Sequence, residues 1–150
     1  LNLLEKKCIL INSAISEKTG TSIIKQINEH SGGATISKKK KLDDKGRKIF
    51  SSKINTICSK NLDKIIKNQN YVPIKVKIDV EGHELVVISQ LMKTKICKYI
   101  DEIYYEIDEK WINPSKITNI LKKKGFKCFS KKPKGKKHYD VLATKKKSIF

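Results

Sequence analysis

Arginine is nearly absent from this 150-residue sequence, in which Arg47 is the only one and 33 of the 34 basic residues are lysines. The formal net charge of +19 invites a nucleic-acid-binding interpretation. Base readout and bidentate phosphate contacts, however, favour the planar guanidinium fork of arginine over the ammonium group of lysine. Lysine, isoleucine and asparagine all have AT-rich codons, so genome composition explains much of the charge. The charge therefore does not by itself identify a nucleic-acid-binding protein.

Long apolar runs and paired cysteines are also missing. No stretch approaches the ~18 consecutive apolar residues of a membrane span, so no transmembrane helix is predicted. No C-x-x-C pair occurs among the dispersed Cys8, Cys58, Cys97 and Cys128, which argues against a zinc site and against a dense disulfide framework. No metal site is predicted. Buried free thiols in a reducing compartment are the simpler interpretation, and they favour a cytoplasmic location.

The sequence contains an alternation of apolar strands and amphipathic helices. Strands are predicted at 8–15, 21–27, 49–58, 72–80, 100–107, 126–129 and 139–143. Helices are predicted at 61–68, 83–92 and 114–124, the last with Pro114 in its first turn and Gly125 at its C-terminal cap. This order predicts an α/β fold with a largely parallel sheet and an antiparallel final pair of strands. Residues 38–48 are dominated by charge and are predicted to form an exposed basic loop.

The most informative segment is K-V-K-I-D-V-E-G-H-E at residues 75–84. It places Asp79 at the carboxyl end of a predicted strand, where open parallel sheets bind their ligands, and Glu81 in the turn that follows. Gly82 permits a tight reversal of the chain and a close approach of a ligand to the backbone. An acidic group that ends an apolar strand is costly to bury without a partner, so a functional role is favoured for Asp79.

Three further side chains lie near this segment or on the next strand. Glu106 lies at the end of the next predicted strand, 100–107. It is expected to place another carboxylate at the same edge of the sheet as Asp79. His83 is interpreted either as a base or as an exposed or capping histidine. Glu84 falls in the first turn of the next helix, where the helix dipole favours a carboxylate, and it is interpreted as a helix-start residue.

Residues 77–84 resemble the FkbM family of methyltransferases, whose hallmark is K-I-D-V-E-G followed by H-E or A-E and an amphipathic helix. Residues 12–16 with Gly20 are similar to the family's third-strand ending, A-I-S-x-x-x-G, and residues 31–33 to its small-residue loop. Later parts of the family pattern resemble residues 54–62, 105–107 and 125–126. The resemblance covers the whole chain.

The resemblance implies a Rossmann-like methyltransferase sheet over residues 1–150, mostly parallel, with an antiparallel C-terminal hairpin. It also implies that the sheet begins at the family's third strand and is incomplete at its N-terminal side. The implied activity is transfer of a methyl group from S-adenosylmethionine to a hydroxyl of a small molecule or glycan. The resemblance implies catalytic roles for Asp79 and Glu81, cofactor contacts for Ser13, Ala14, Asp79 and Gly82, and substrate contacts for His83 and Glu106.

The sequence departs from the family at one point. Complete members carry a D-x-G-A-N-x-G loop and an acidic ribose-binding residue before the third strand, and neither occurs here. We therefore expect this chain alone to bind S-adenosylmethionine weakly or not at all. Two alternatives remain open: a basic nucleic-acid-binding protein, and an inactive remnant that acts as an interaction module. Such a remnant would need its exposed sheet edge covered by a partner or by a second copy, as in a homo-oligomer.

Overall fold

The structure is a computed structural model that describes residues 8–27, 34–36, 48–66 and 73–145. Within these ranges the chain forms seven strands, three α-helices and one 3₁₀ helix. The strands are β1 Ser13–Ile15, β2 Gly20–Ile27, β3 Ile49–Ile57, β4 Ile74–Ile78, β5 Ile100–Asp108, β6 Lys127–Ser130 and β7 His138–Thr144. The helices are α1 Ser59–Ile65, α2 Glu84–Leu91 and α3 Pro114–Lys122, and the 3₁₀ helix is Lys95–Tyr99.

The strands are divided between two sheets. The first sheet has the order β1-β3-β2, with β1 parallel and β2 antiparallel to β3. The second has the order β4-β5-β7-β6, in which β4 and β5 are parallel and the other two pairs are antiparallel. The antiparallel pair formed by β6 and β7 confirms the predicted C-terminal hairpin.

The prediction of one mostly parallel Rossmann-like sheet is wrong, although the α/β class is confirmed. Among the described strands, three of the five pairs are antiparallel, and these strands do not form a single sheet. β2 and β3 are consecutive strands that pair along their length, from Gly20 opposite Thr56 to Ile27 opposite Ile49. Parallel neighbours require a crossover connection, usually a helix, whereas consecutive strands can pair directly as an antiparallel ribbon.

The first predicted strand is shorter than expected. Within the predicted strand 8–15, only Ser13–Ile15 form a strand, which pairs with β3. Residues 8–12 have no regular structure. Ile9 and Leu10 are 85% and 94% exposed, so their apolar character did not bury them in a sheet. Of the predicted basic loop at 38–48, only Lys48 is among the described residues, and it is exposed. The small-residue loop at 31–33 lies outside the described residues.

The end signals of α3 act as the sequence predicted. Asn113 is the N-cap, and its Oδ1 accepts a hydrogen bond of 3.0 Å from the Ser115 backbone N–H. Pro114 occupies the first helical position, where its missing N–H costs nothing. At the other end Gly125 has φ of 84°, and the Phe126 N–H donates to the Leu121 carbonyl at 3.1 Å. The left-handed glycine therefore closes the helix.

The short helix predicted at 61–68 begins two residues earlier than expected. Its inner face was predicted to carry Leu62, Ile65 and Ile66. Leu62 is 4% exposed and Ile66 packs against the core, but Ile65 is 38% exposed. α1 ends at Ile65 and Ile66 is already extended, so the helical spacing that would place all three side chains on one face is not completed, and Leu62 is the one buried residue of α1.

The core lies between the second sheet and the helices α2 and α3. Its largest fully buried side chains come from β5, α2 and α3. They include Ile88, Ile100, Ile103, Tyr105, Ile107, Ile117 and Leu121. The first sheet contributes partly buried residues such as Ile15 and Ile57 to the same cluster. This packing fixes the carboxyl ends of β4 and β5 relative to α2.

None of the described helices is long and apolar enough to cross a membrane. All four cysteines are free: Cys8 is exposed and the other three are half-buried. The prediction of dispersed, unpaired thiols is therefore confirmed. Their expected burial is only partial.

Candidate active site

The K-I-D-V-E-G segment forms the end of β4 and the turn into α2. β4 ends at Ile78, which is buried, and residues 79–82 make the turn. Gly82 has φ of 82°, in the left-handed region that favours glycine. The His83 backbone N–H donates to the Val80 carbonyl at 2.8 Å and closes the turn. Gly82 thus has the conformational role that the sequence predicted for it.

Two buried polar side chains hold this turn in place. The Gly82 backbone N–H donates to Oε1 of Glu84 at 3.1 Å, and Glu84 begins α2, where the helix dipole favours its charge. The Thr35 hydroxyl donates to the Glu81 carbonyl at 2.7 Å and ties residues 34–36 to the turn. Glu84 is therefore a helix-start residue, as expected. Nothing in the sequence around Thr35 indicates this contact.

Three carboxylates meet at the carboxyl edge of β4 and β5. Asp79 and Glu81 follow β4, Glu106 lies near the end of β5, and one oxygen of each lies within 4.8 Å of the others. The parallel register, with Ile78 opposite Tyr105, brings the two strand ends to one edge. The prediction that Glu106 shares a rim with Asp79 is confirmed. Since three negative charges this close repel one another, the edge favours a positively charged ligand.

The neighbours of the cluster are basic. Lys77 Nζ lies 3.3 Å from Asp79 Oδ2, and His138 Nε2 lies 3.2 Å from Glu106 Oε2. The Asp79 side chain is 58% exposed, so the cost of burying a charge is not the reason for its position. Carboxylates at this spacing can share a hard cation. No other described group indicates one, and no metal is assigned to the cluster.

An apolar cavity of about 770 Å³ lies between β1, β4 and α2. Three of the four predicted cofactor contacts line it: Ser13 and Ala14 from β1, and Asp79 from the end of β4. Gly82 does not line this cavity but the neighbouring one. The volume is within the ~300–1,000 Å³ that is usual for small-molecule sites.

A second, more polar cavity of about 730 Å³ lies on the other side of the turn. Gly82 and His83 line it together with the β1–β2 turn and the loop that joins β5 to α3. That loop contributes Trp111 and Asn113, and α3 contributes Lys116. Sequence reasoning missed these three side chains. The signal that could have found them is the single tryptophan in the loop that follows a strand ending in carboxylates.

His83 lines both cavities. Its Nε2 is buried and makes no hydrogen bond to the residues that the structure describes. Burial lowers the pKa of the imidazole below its ordinary value of 6.5, while a contact with the Ile15 backbone and the charge of Glu17 partly oppose this effect. The other charged groups on the polar cavity near it are Lys18 and Lys116. The ring is therefore neutral at neutral pH and joins the walls of the two cavities.

The lowered pKa of His83 predicts an acid-sensitive contribution to stability. Above pH 6.5 the ring is neutral in both the folded and the unfolded chain, so it contributes no pH dependence there. As the pH falls below 6.5, the unfolded chain takes up the proton more readily than the folded chain, and the free energy of unfolding decreases. We expect the His83→Gln variant to lose less of its free energy of unfolding as the pH falls below 6.5. Chemical denaturation curves measured at a series of pH values test this.

Ring NMR gives the direct check, because the chain has three histidines and the His83 signal is the one lost in His83→Gln. A His83 ring that titrates at or above 6.5 would contradict the expectation.

The fold and the site together define an α/β protein with an acidic edge at the carboxyl ends of two parallel strands. The family model of the methyltransferase FkbM domain matches residues 1–128. The chain therefore belongs to the FkbM methyltransferase family, as its K-I-D-V-E-G-H-E segment indicated. Among curated proteins and among solved structures, none matches the chain.

Proposed function

We propose that this chain transfers a methyl group from S-adenosylmethionine to a hydroxyl of a small molecule or glycan. The observation that carries this proposal is the convergence of Asp79, Glu81 and Glu106 beside a turn whose residues line two cavities, in a chain of this family. Methyl transfer needs two ligands that meet at one point, and the K-I-D-V-E-G turn lies between the two cavities.

The apolar cavity suits the cofactor. Ser13, Ala14 and Asp79 would hold S-adenosylmethionine, since the apolar walls match an adenine ring and the carboxylate edge matches a positive charge. When bound, S-adenosylmethionine supplies a methyl group on a positively charged sulfur. Gly82, with no side chain, leaves the turn open on the side of the polar cavity.

The polar cavity suits the acceptor. The Trp111 ring offers an apolar face against which a sugar or ring can pack, and Asn113 offers both a donor and an acceptor. Asp79 would orient the acceptor hydroxyl and take its proton, with Glu81 and Glu106 beside it. His83 lies where both ligands would meet and would contact the acceptor.

We do not propose a specific nucleic acid as the methyl acceptor. The sequence has a single arginine, and arginine is the residue that base readout and bidentate phosphate contacts favour. We also propose a cytoplasmic location, which is supported by four cysteines that remain free.

The test is to titrate the chain with S-adenosylmethionine at up to millimolar concentrations and to follow the His83 ring by NMR. We expect weak but saturable binding that shifts the His83 signal, and slow transfer of a labelled methyl group to hydroxyl-bearing acceptors. Ala14→Phe would fill the apolar cavity and abolish the shift, whereas the exposed Lys64→Gln on α1 would leave it unchanged. Absence of any saturable shift would agree with the expectation drawn from the missing glycine loop, and it would refute the proposal that this chain itself transfers the methyl group.

A further inference from the structure

The turn between β6 and β7 has an unusual density of positive charge. Five of the seven residues at 131–137 are lysines, against 33 in all 150 residues, and none of the seven is acidic. All seven residues are exposed. The local density is about three times that of the chain, so the general lysine content does not account for it. We call residues 131–137 the basic turn.

The basic turn lies at the same edge of the sheet as the carboxylate cluster. β5 and β7 are antiparallel, with Asp108 opposite His138 and Glu106 opposite Asp140. The Glu109 backbone N–H donates to the Lys137 carbonyl at 2.8 Å, which extends the pairing into the turn. His138, the first residue after the turn, contacts Glu106 at 3.2 Å. The turn therefore borders the site where the acceptor hydroxyl would lie.

One lysine of the turn anchors it to the sheet. Lys132 Nζ lies 2.7 Å from Glu109 Oε1, and the Tyr139 hydroxyl donates to the same oxygen at 3.0 Å. The ammonium group of Lys132 also lies 5.2 Å from the centre of the Tyr139 ring. These contacts lower the pKa of the Glu109 carboxyl.

The other four lysines of the turn are available to a ligand. Within the described part of the chain, none of them lies within ion-pair distance of a carboxylate, and the charge of Lys137 acts on Glu109 only at longer range. They are Lys131, Lys134, Lys136 and Lys137.

We propose that the basic turn binds an anionic group on the methyl acceptor, so that the acceptor is a phosphorylated or sulfated sugar. This inference rests on the proposed function. Three carboxylates at the reacting edge repel an anionic molecule, and four ammonium groups beside them attract its phosphate or sulfate while its hydroxyl reaches Glu106 and Asp79. The basic turn follows the last residue of the family match, so it belongs to the part of the chain that the family model does not describe.

A single sugar-sized anion fits this surface better than a nucleic acid does. The lysines gather on one seven-residue turn, and no aromatic residue lies among them to stack a base. Lysine binds phosphate as a point charge without the forked geometry of arginine. The lysines of the turn are therefore suited to holding a compact anion next to the edge.

The experiment titrates the chain with fructose 1,6-bisphosphate, with a sulfated heparin disaccharide and with uncharged fructose, and follows the His138 ring by NMR at low and high salt. We expect saturable, salt-sensitive binding of one or both anionic sugars and no shift with fructose. Tighter binding of the bisphosphate identifies a phosphorylated acceptor, and tighter binding of the disaccharide identifies a sulfated one. A single-stranded oligonucleotide of equal charge that binds more tightly than both would overturn the inference.

Charge reversal locates the site. The triple variant Lys134→Glu, Lys136→Glu, Lys137→Glu should weaken binding of the anionic sugar roughly tenfold to a hundredfold. The matched triple Lys53→Glu, Lys60→Glu, Lys64→Glu changes the net charge equally on exposed residues of β3 and α1, and should weaken it only about threefold. An equal loss in both triples would show that net charge alone attracts the sugar and would overturn the inference. Lysine-to-glutamine versions of the same triples repeat the comparison without introducing negative charge.

Separate measurements distinguish this inference from the proposed function. S-adenosylmethionine binding at His83 without any anion binding at His138 would overturn the inference and leave methyl transfer standing. Anion binding without binding of S-adenosylmethionine would refute the proposed function, and with it the identification of the anion as a methyl acceptor.

Discussion

Replacement of Ile103 by alanine is expected to lower the free energy of unfolding by about 3–4 kcal/mol. Ile103 is fully buried in β5, where it lies opposite Val76 of β4 and Ala143 of β7. Alanine would remove buried apolar surface and leave a cavity that the neighbouring strands cannot close without losing their pairing. The loss is a large share of the ~5–15 kcal/mol by which domains are usually stable. Chemical denaturation followed by circular dichroism measures it.

Leu142→Ala is the matched control for Ile103→Ala. Leu142 lies on β7 of the same sheet but is 40% exposed, opposite Tyr104 on the outer face. Its truncation should cost less than about 1 kcal/mol. Similar losses for the two variants would mean that the core does not lie between β5 and the helices.

Asp79→Asn is expected to lower the rate of methyl transfer by about a hundredfold, because the amide cannot accept the acceptor's proton. The substitution keeps the size of the side chain and its position after β4. It also removes one of the three charges of the cluster and should weaken the binding of S-adenosylmethionine a few-fold, about the effect of one exposed ionic contact. An assay with a labelled methyl group measures the loss in transfer rate. NMR measures the binding of S-adenosylmethionine separately, so the two effects can be told apart.

Glu102→Gln is the control for Asp79→Asn. Glu102 also pairs with a lysine of β4, at 3.0 Å from Lys75, but it lies at the opposite end of β5 from Glu106. The Glu102→Gln variant should keep a rate of methyl transfer and an affinity for S-adenosylmethionine close to those of the unaltered chain. Full activity in Asp79→Asn would remove this carboxylate from the mechanism.

Local signals in the sequence predicted most of the second sheet and its helices. Pro114 and Gly125 mark the ends of α3 because each suits a backbone conformation that only a helix end provides. The alternation of apolar residues in β5 follows from a strand with one face on the core. The segment K-I-D-V-E-G predicted that Asp79 lies at a strand end and that the chain turns at Gly82. Both features depend on only a few adjacent residues.

The pairing of the strands was not predictable in the same way. β2 and β3 were each expected as extended segments, but nothing within either one indicated that they would pair with each other in a sheet of their own. Whether two strands are neighbours depends on contacts between residues far apart in the chain, which local propensity does not encode. The exposed Ile9 and Leu10 show the same limit, because an apolar residue is buried only if a partner surface is available.

The sequence by itself determined the family, the acidic strand ending and the left-handed glycine, because each resides in a short run of residues whose chemistry is independent of the rest of the chain. The tertiary structure alone decided the distance of 4.8 Å within which Glu106 reaches Asp79 and Glu81. It also decided that Trp111 and Lys116 line one cavity with His83, and that the basic turn borders the carboxylate edge. Those distances are set by strand register and by packing of helices on the sheet, and both are fixed only when the whole core assembles.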